Sequence, residues 1–418
     1  MKRYDLIVVG GGFAGTCAAI EAARNGLDVL LVEKYNCLGG AAANCLVFPF
    51  MKYWSIHPET NERIILTGNI FTEIIAELDG SIYLSADKQD FDEEMLKLIL
   101  NRMCVKYGVN LLFNTTVVEA NMTDGNITSI KAWGKSKMLE LSADYFIDAT
   151  GDGELSFLAG CEYQLGRSGD NLCQPMTLCF RIDGIDKAKW AANRGKINAL
   201  YREFQEKGLI KNPRENVLCF DTLHDGIVHF NTTRIVKLNP TDPFDVTKAE
   251  IEAREQAYEV FTFLKENIEG FEKSRILSTA LQIGIRESRM IKGEYTLTED
   301  DLLSLARFDD AIAVANYDID IHSPDGSGTS HHYFKKGEWY QIPYRCLLPK
   351  GISNMLVAGR CISATHEAQA SIRIMPYVAE IGHAAGAAVS MAVLKGTTLK
   401  GFNIKELQAK LKEEGFVL

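Results

Sequence analysis

His366 and Arg373 stand in the run Gly359-Arg360-Cys-Ile-Ser-Ala-Thr-His366-Glu-Ala-Gln-Ala-Ser-Ile-Arg373-Ile-Met-Pro376. An imidazole titrates near neutrality, which suits a general acid or base. A guanidinium can clamp a carboxylate through two parallel hydrogen bonds. Arg286, in Gln282-Ile-Gly-Ile-Arg286-Glu287-Ser-Arg289, offers a second clamp of that kind. These three are the candidate catalytic residues, and each has a plainer role open to it. His366 can simply hydrogen-bond its surroundings, and Arg286, Glu287 and Arg289 can form an internal ion-pair cluster, the more so for Glu287 and Arg289. His322, His331 and His332 fall in residues 316–339, which are rich in Gly, Ser, His and Asp and read as loop. Paired histidines suggest a metal, but no third ligand is suitably spaced, so no metal site is expected. Tyr344 and Arg345 are weaker candidates.

Such residues need a scaffold, and the N-terminus supplies its clearest sign. Tyr4-Asp-Leu-Ile-Val-Val-Gly10-Gly-Gly12-Phe-Ala-Gly15, followed by Asp28-Val-Leu-Leu-Val-Glu33, reads as strand, glycine turn, helix, strand and acid. Leu6 to Val9 is a short apolar run, as in a parallel strand buried on both faces. Gly10 permits the tight turn, Gly12 lets a pyrophosphate approach the backbone, and Gly15 lets the helix pack on the sheet. The helix predicted over residues 13–25 would aim unpaired N–H groups at the phosphates. Glu33 lies 23 positions after Gly10, where a carboxylate can accept ribose hydroxyls and repel a 2′-phosphate. This motif alone leaves NAD and FAD open.

The 418 residues carry a net charge of −10 and no basic cluster, which excludes nucleic acid or an anionic membrane as the main partner. Strand character begins at Tyr4, so no signal peptide is expected. Residues 376–394 are apolar but contain Glu380, His383 and many Gly and Ala, so they read as a buried helix. The ten cysteines show no C-x-x-C spacing and are expected as buried thiols in a reducing cytoplasm.

Helices are predicted at residues 68–78 and 91–107 and a short strand at 110–113. Three strands (115–121, 126–133 and 138–141) form an antiparallel meander with turn signals between them. A separate buried strand at 145–148 ends in Ala149-Thr150-Gly151-Asp152. From about Cys161 the pattern shifts to helices at 187–207 and 246–268 with strand-like runs at 176–182 and 276–285; strand character returns at 354–358. The fold class is therefore α/β: a dinucleotide domain of parallel sheet plus small antiparallel meander, with an inserted α+β substrate domain. The boundaries are 1–165, 166–340 and 341–418.

Two features choose FAD over NAD. A meander feeding a strand that ends in Ala-Thr-Gly replaces the further βαβ units of a dehydrogenase. The C-terminal helix, with Pro376 at its first position and Gly382 and Gly386 along it, can point its N-terminus at an isoalloxazine and stabilise charge on the reduced ring. With these motifs the chain resembles the FAD-dependent oxidoreductases related to the fumarate reductase and succinate dehydrogenase flavoproteins. Matching segments are Gln282 to Arg289, Asp309-Asp-Ala-Ile, Ile319-Asp320-Ile-His322 and Ile342-Pro343-Tyr344-Arg345. The resemblance covers nearly the whole chain and is weakest over 187–272.

It implies a Rossmann-like FAD domain with pyrophosphate contacts from Gly10, Gly12, Phe13 and Ala14, above Gly15. Glu33 and Lys34 would hold the adenosine ribose, with Val117 or Val118 meeting adenine. Gly39, Gly40 and Ala41 would lie near the ribityl chain or ring, and Ala149, Thr150, Gly151 and Asp152 would flank the pyrophosphate. Gly359, Arg360, Ile372 and Met375 would border ribitol and isoalloxazine. His366 falls roughly where fumarate reductases carry a substrate-binding histidine. No histidine lies between Glu33 and Gly40 for covalent attachment, and Cys37 reads as a passive thiol, so FAD is expected non-covalently bound. No second nucleotide motif and no iron–sulfur motif is present.

The expected function is hydride transfer between flavin N5 and a small polar substrate, a carboxylate or a carbohydrate derivative, in a soluble cytoplasmic enzyme. The electron donor or acceptor is unidentified, and a homo-oligomer is compatible with the composition. The alternatives are a flavin monooxygenase and a non-catalytic flavin-binding subunit acting with a partner.

Overall fold

The apolar run Leu6–Val9 lies within the first strand of a computed structural model that describes residues 2–79 and 83–418. That strand, β1 (Arg3–Val9), turns into α1 (Phe13–Arg24) and returns as β2 (Val29–Val32). Helix α2 (Glu93–Lys106) leads to β3 (Asn110–Leu112), and β4 (Thr115–Thr123), β5 (Asn126–Gly134) and β6 (Lys137–Asp148) follow as the meander. The meander's last strand and the buried strand expected at 145–148 are one element. Ser142-Ala-Asp144 between them holds no Gly or Pro to break it, so β6 pairs antiparallel with β5 through Leu141 and parallel with β1 from Ser142 onward.

The chain then leaves for a second sheet. Its strands are β7 (Phe180–Asp183), β8 (Cys219–Asp221), β9 (Val228–Phe230) and β10 (Arg275–Thr279), in the order β8-β9-β7-β10. Helices α3 (Lys187–Glu206) and α4 (Pro243–Asn267) contribute Trp190, Tyr201, Val260 and Phe263 to a separate apolar core with Phe180 and Phe230. That core draws on residues 180–271 only. Ile291, Leu297, Leu302 and the fully buried Ala311–Ala315 strand join the first core instead, well before the expected boundary at 340.

Residues 316–339, read as loop from composition, contain a hairpin of β11 (Ile319–His322) and β12 (Thr329–His332). Pro324-Asp-Gly-Ser-Gly328 forms its turn; alternation puts Asp320 and His322 on one face of β11, and both are buried, as is Ile319 on the other face. The return strand β13 (Met355–Val357) adds parallel to β6. Helix α5 (His366–Ile372), begun by the Thr365 cap, then precedes α6 (Met375–Lys395), which starts one residue before Pro376; α7 (Ile404–Glu413) ends the chain. Helix α6 is long and apolar enough to cross a membrane, and 89% of its most apolar stretch is buried inside the protein.

Two features of this arrangement position the site. The parallel strands run β3-β2-β1-β6-β13, and Val32, Val9, Asp148 and Val357 stand in one register row at their carboxyl ends. Open α/β sheets bind ligands at that edge. Helices α1 and α6 cross in close contact: a Cβ on Gly382 would stand 2.0 Å from the Ala14 carbonyl, and one on Gly386 2.3 Å from that of Ala18. No larger residue fits at either crossing point.

Candidate functional site

Beyond the register row the chain opens a cavity of about 520 Å³. Three glycine-rich turns wall it: Gly10 to Ala14, Gly39 to Ala41, and Ala149 to Asp152, with Gly359 and Arg360 beside them. Gly10 has φ +102°, and a Cβ there would stand 2.4 Å from the Ala149 carbonyl oxygen, so the first and third turns touch backbone to backbone. The third turn is held from below by Asp148. Its buried carboxylate accepts from the Thr150 N–H and hydroxyl and from the Ser156 N–H and hydroxyl.

Helices α1 and α6 both begin at this cavity, and neither has a side-chain cap. Helices α2, α3, α4, α5 and α7 are capped by Asp92, Asp186, Asp242, Thr365 and Asn403. The uncapped first turns leave backbone N–H donors and the positive ends of two helix dipoles for a ligand. Glu33 closes another side. Its carboxylate accepts from the Gly11 and Tyr35 N–H groups, and each oxygen keeps further acceptor capacity. Burial pushes the Glu33 carboxyl upward, against those two hydrogen bonds and the charge of Lys34.

Asp152 receives Arg360 Nη2 at 2.7 Å and the Ser288 hydroxyl at 2.6 Å. Burial disfavours its charge, yet Arg360 and Lys34 outweigh burial and hold the carboxyl below its ordinary range. Lys34 pairs with Glu154 at 3.0 Å. Residues 240–243 and Val246, at the start of α4, and Gln282, Ile283 and Ile285, just after β10, cover the cavity with Tyr35 and Cys45. Tyr35 donates to Gln282, whose amide reaches the Cys45 thiol at 3.6 Å. Burial raises both wall acids, Cys45 to about 11.

Of the residues expected to hold the cofactor, Gly10, Gly12, Phe13, Ala14, Glu33, Lys34, Gly39, Gly40, Ala41, Val117, Ala149, Thr150, Gly151, Asp152, Gly359, Arg360 and Met375 line this cavity. Three do not. Gly15 lies under the first turn, where a Cβ would stand 1.8 Å from the Gly10 carbonyl, so its role is packing. Val118 points outward from β4 and is 42% exposed; Val117, its neighbour on a strand of alternating faces, takes the inward position. Ile372 is sealed in the core.

The three candidate catalytic residues separate. Arg373, at the end of α5, lines the cavity. Its Nη2 faces the Asp320 carboxylate at 3.4 Å, and among the described residues neither its Nη1 nor its buried Nε has a hydrogen-bond partner. Arg286 lies behind that wall, donating to the Pro175 carbonyl at 2.6 Å and to Thr177 and Asn231. Burial, then the guanidiniums of Arg373 and Arg214, disfavour its charged form. His366 is no part of the wall. As the first residue of α5 it turns against Glu287, Nδ1 to Oε1 at 2.8 Å, and the Gln174 N–H satisfies the other Glu287 oxygen.

The expected Arg286–Glu287–Arg289 cluster is therefore absent. Arg286 faces away from Glu287, whose oxygens are taken by His366 and the Gln174 N–H, and Arg289 stacks on Phe157 and reaches the Asp152 carbonyl. His331 pairs with Asp318 at 2.8 Å. Among the described residues, Glu21, His383 and Glu414 have spacing that could hold a metal ion. The Lys410 ammonium sits on both carboxylates, so the group is an ion-pair knot tying α7 to α1. Sequence reasoning missed Tyr35, Cys45, Gln282 and the 240–246 segment. Only Gln282 had a signal, as the first residue of the motif that carries Arg286.

A cavity at the carboxyl edge of a parallel sheet, walled by glycine turns, two uncapped helix starts and the buried Glu33 carboxylate, defines a dinucleotide-binding protein of the flavoprotein kind. Residues 5–411 match the family profile described as FAD dependent oxidoreductase, and the chain belongs to that family. Its cofactor is FAD. Among curated proteins, digeranylgeranylglycerophospholipid reductase 1 of Methanococcoides burtonii is 24% identical over 192 residues, 44% of this chain and 46% of that protein. Digoxin reductase of Eggerthella lenta is 41% identical over 68 residues, 16% of this chain and 12% of that protein. The matched stretches span less than half the length of either relative. Among solved structures, a geranylgeranyl bacteriochlorophyll reductase-like protein of Thermoplasma acidophilum aligns over 99% of this chain and 84% of its own, at 12% identity and a TM-score of 0.49.

Proposed function

We propose that the protein transfers a hydride between N5 of non-covalently held FAD and a small polar substrate that carries an anionic group, such as a carboxylate or an acidic carbohydrate derivative. Family membership and similarity to proteins named as reductases support a redox enzyme. Kinship with the fumarate reductase flavoproteins is part of this reading and rests on the shared motifs alone. Ten buried, unpaired thiols support a reducing compartment.

The cavity fits FAD on its own chemistry. The N–H groups opening α1 suit the pyrophosphate, Glu33 the adenosine ribose, the Val117 backbone the adenine, and the start of α6 the ring. FAD supplies the two-electron chemistry. The protein's share is to orient the substrate and exclude water. The observation that carries the substrate class is Arg373: a guanidinium in the cavity wall, anchored on one side by Asp320 and, among the described residues, unengaged at Nη1. A second buried guanidinium, Arg286, adds to the positive potential behind it. Cys45 and Tyr35, held protonated by burial, contribute no opposing charge at neutral pH.

The test is anaerobic flavin bleaching by a panel of hydroxy acids and acidic sugars set against their methyl esters or amides. Reduction by acids and not by the neutral partners is expected. Equal reduction by both, or product hydroxylation coupled to oxygen uptake, would overturn the proposal.

A further inference from the structure

Behind Arg373 runs a line of polar groups that never reaches the cavity. Arg214 and Arg234 are 4% and 1% exposed, and each directs a guanidinium nitrogen at Nδ1 of His322, at 3.4 and 3.2 Å. A guanidinium only donates, so Nδ1 must accept and the ring's one proton is fixed on Nε2. That Nε2 faces Oδ2 of Asp320 at 3.4 Å. The same oxygen takes the Tyr317 hydroxyl at 3.3 Å and Arg373 Nη2 at 3.4 Å, while the Asp320 backbone carbonyl accepts from Nη2 at 3.5 Å.

We propose that His322 and Asp320 are positioning residues, which set the Arg373 guanidinium in the wall so that its unengaged edge meets the anionic group of the substrate. The inference rests on Arg373 as the anion-binding residue of the proposed function. His322 acts as a neutral spacer of fixed tautomer. An imidazolium would present a second donor to two guanidiniums already aimed at Nδ1. Asp320 stays ionised and only accepts.

The surrounding charges agree. His322 is faced by Arg214, Arg234, Arg286 and Arg373 and by the carboxylate of Asp320, and Glu215 pairs at 3.3 Å with the same Arg234 Nη2 that faces His322. Burial first, then Arg286, holds the imidazole well below its ordinary range against the pull of Asp320. For Asp320, burial acts upward, but the His322 hydrogen bond and the charges of Arg373 and Arg286 win and drive the carboxyl far down. His331 Nε2, at 3.7 Å from Asp320 Oδ1, is the remaining titratable neighbour. Thr329 donates no competing charge; its hydroxyl lies 3.1 Å from Nδ1.

Two measurements on the full-length, FAD-loaded chain test this. In ¹⁵N-histidine spectra assigned with His322→Gln, His322 should keep a bare Nδ1 and a protonated Nε2 from about pH 5 to 8. An imidazolium, or the opposite tautomer, in that window would overturn the inference. Malonate is then titrated into wild type, Asp320→Asn and Asp320→Glu and followed by flavin absorbance. Asp320→Asn should weaken malonate about 30-fold with FAD content unchanged, and Asp320→Glu should recover part of the loss. Wild-type affinity in Asp320→Asn sinks the positioning role alone. A wild type that ignores malonate sinks the anion-binding reading of Arg373, and this inference with it.

Discussion

The two ends of the cavity are built in different ways. The glycine end is made of backbone: three turns and two uncapped helix starts, gathered at the edge of one sheet. At the arginine end Arg373 is backed, outside the cavity, by side chains from far apart in the chain, with Arg214 and Arg234 reaching His322 across 108 and 88 positions. Backbone donors fixed by the sheet suit a ligand that stays bound. Long side chains held by one another suit selection among exchangeable ligands, because a single substitution there changes chemistry without moving the scaffold.

That contrast can be broken at several points. The largest effect is expected for His366→Ala. It strands the Glu287 carboxylate, 0% exposed, and should lower unfolding free energy by about 3–5 kcal/mol in urea titration, with little loss of flavin reduction rate. A slow but fully stable variant would return His366 to the catalytic site. Next is Gly10→Ala, whose methyl would press on Ala149 at φ +102°. About 3 kcal/mol of strain corresponds to roughly 100-fold weaker FAD in a fluorescence titration. Wild-type affinity there would mean that the glycine end does not hold the cofactor.

A smaller effect lies in the second sheet. His229 is fully buried, both ring nitrogens are unpartnered among the described residues, and burial, then Arg181, lowers it to about 3. Between about pH 6.5 and that value the unfolded chain takes up a proton that the folded chain refuses, so stability falls as pH falls. His229→Phe, set against Phe48, should flatten that acid slope and leave stability at pH 8 within about 1–2 kcal/mol of wild type. An unchanged slope would show that His229 is not the group responsible.

The same contrast explains what the sequence made legible. Gly10, Gly12 and Glu33 were readable because turn, helix start and acid lie within one βαβ unit, where spacing alone dictates geometry. Pro376 marked the start of α6 within a residue for the same local reason. Composition misled at residues 316–339, because turn-forming Gly, Ser and Asp surround a hairpin whose inward face carries Asp320 and His322. His366 stands outside the cavity wall because its orientation is decided by Glu287, which spacing along the chain does not reveal. Asp320 appeared only as part of a motif; its function comes from Arg373, on a different element.

The central claim is a division of labour: glycine turns hold FAD, and Arg373 reads the substrate. Arg373→Ala tests it most directly, with bound flavin per chain and anaerobic reduction by the best acidic substrate measured on one preparation. Wild-type FAD content is expected, with reduction slowed by about 30-fold or more, the cost of removing a charged partner from a buried anion. Reduction at the wild-type rate, or loss of FAD with loss of rate, would contradict it.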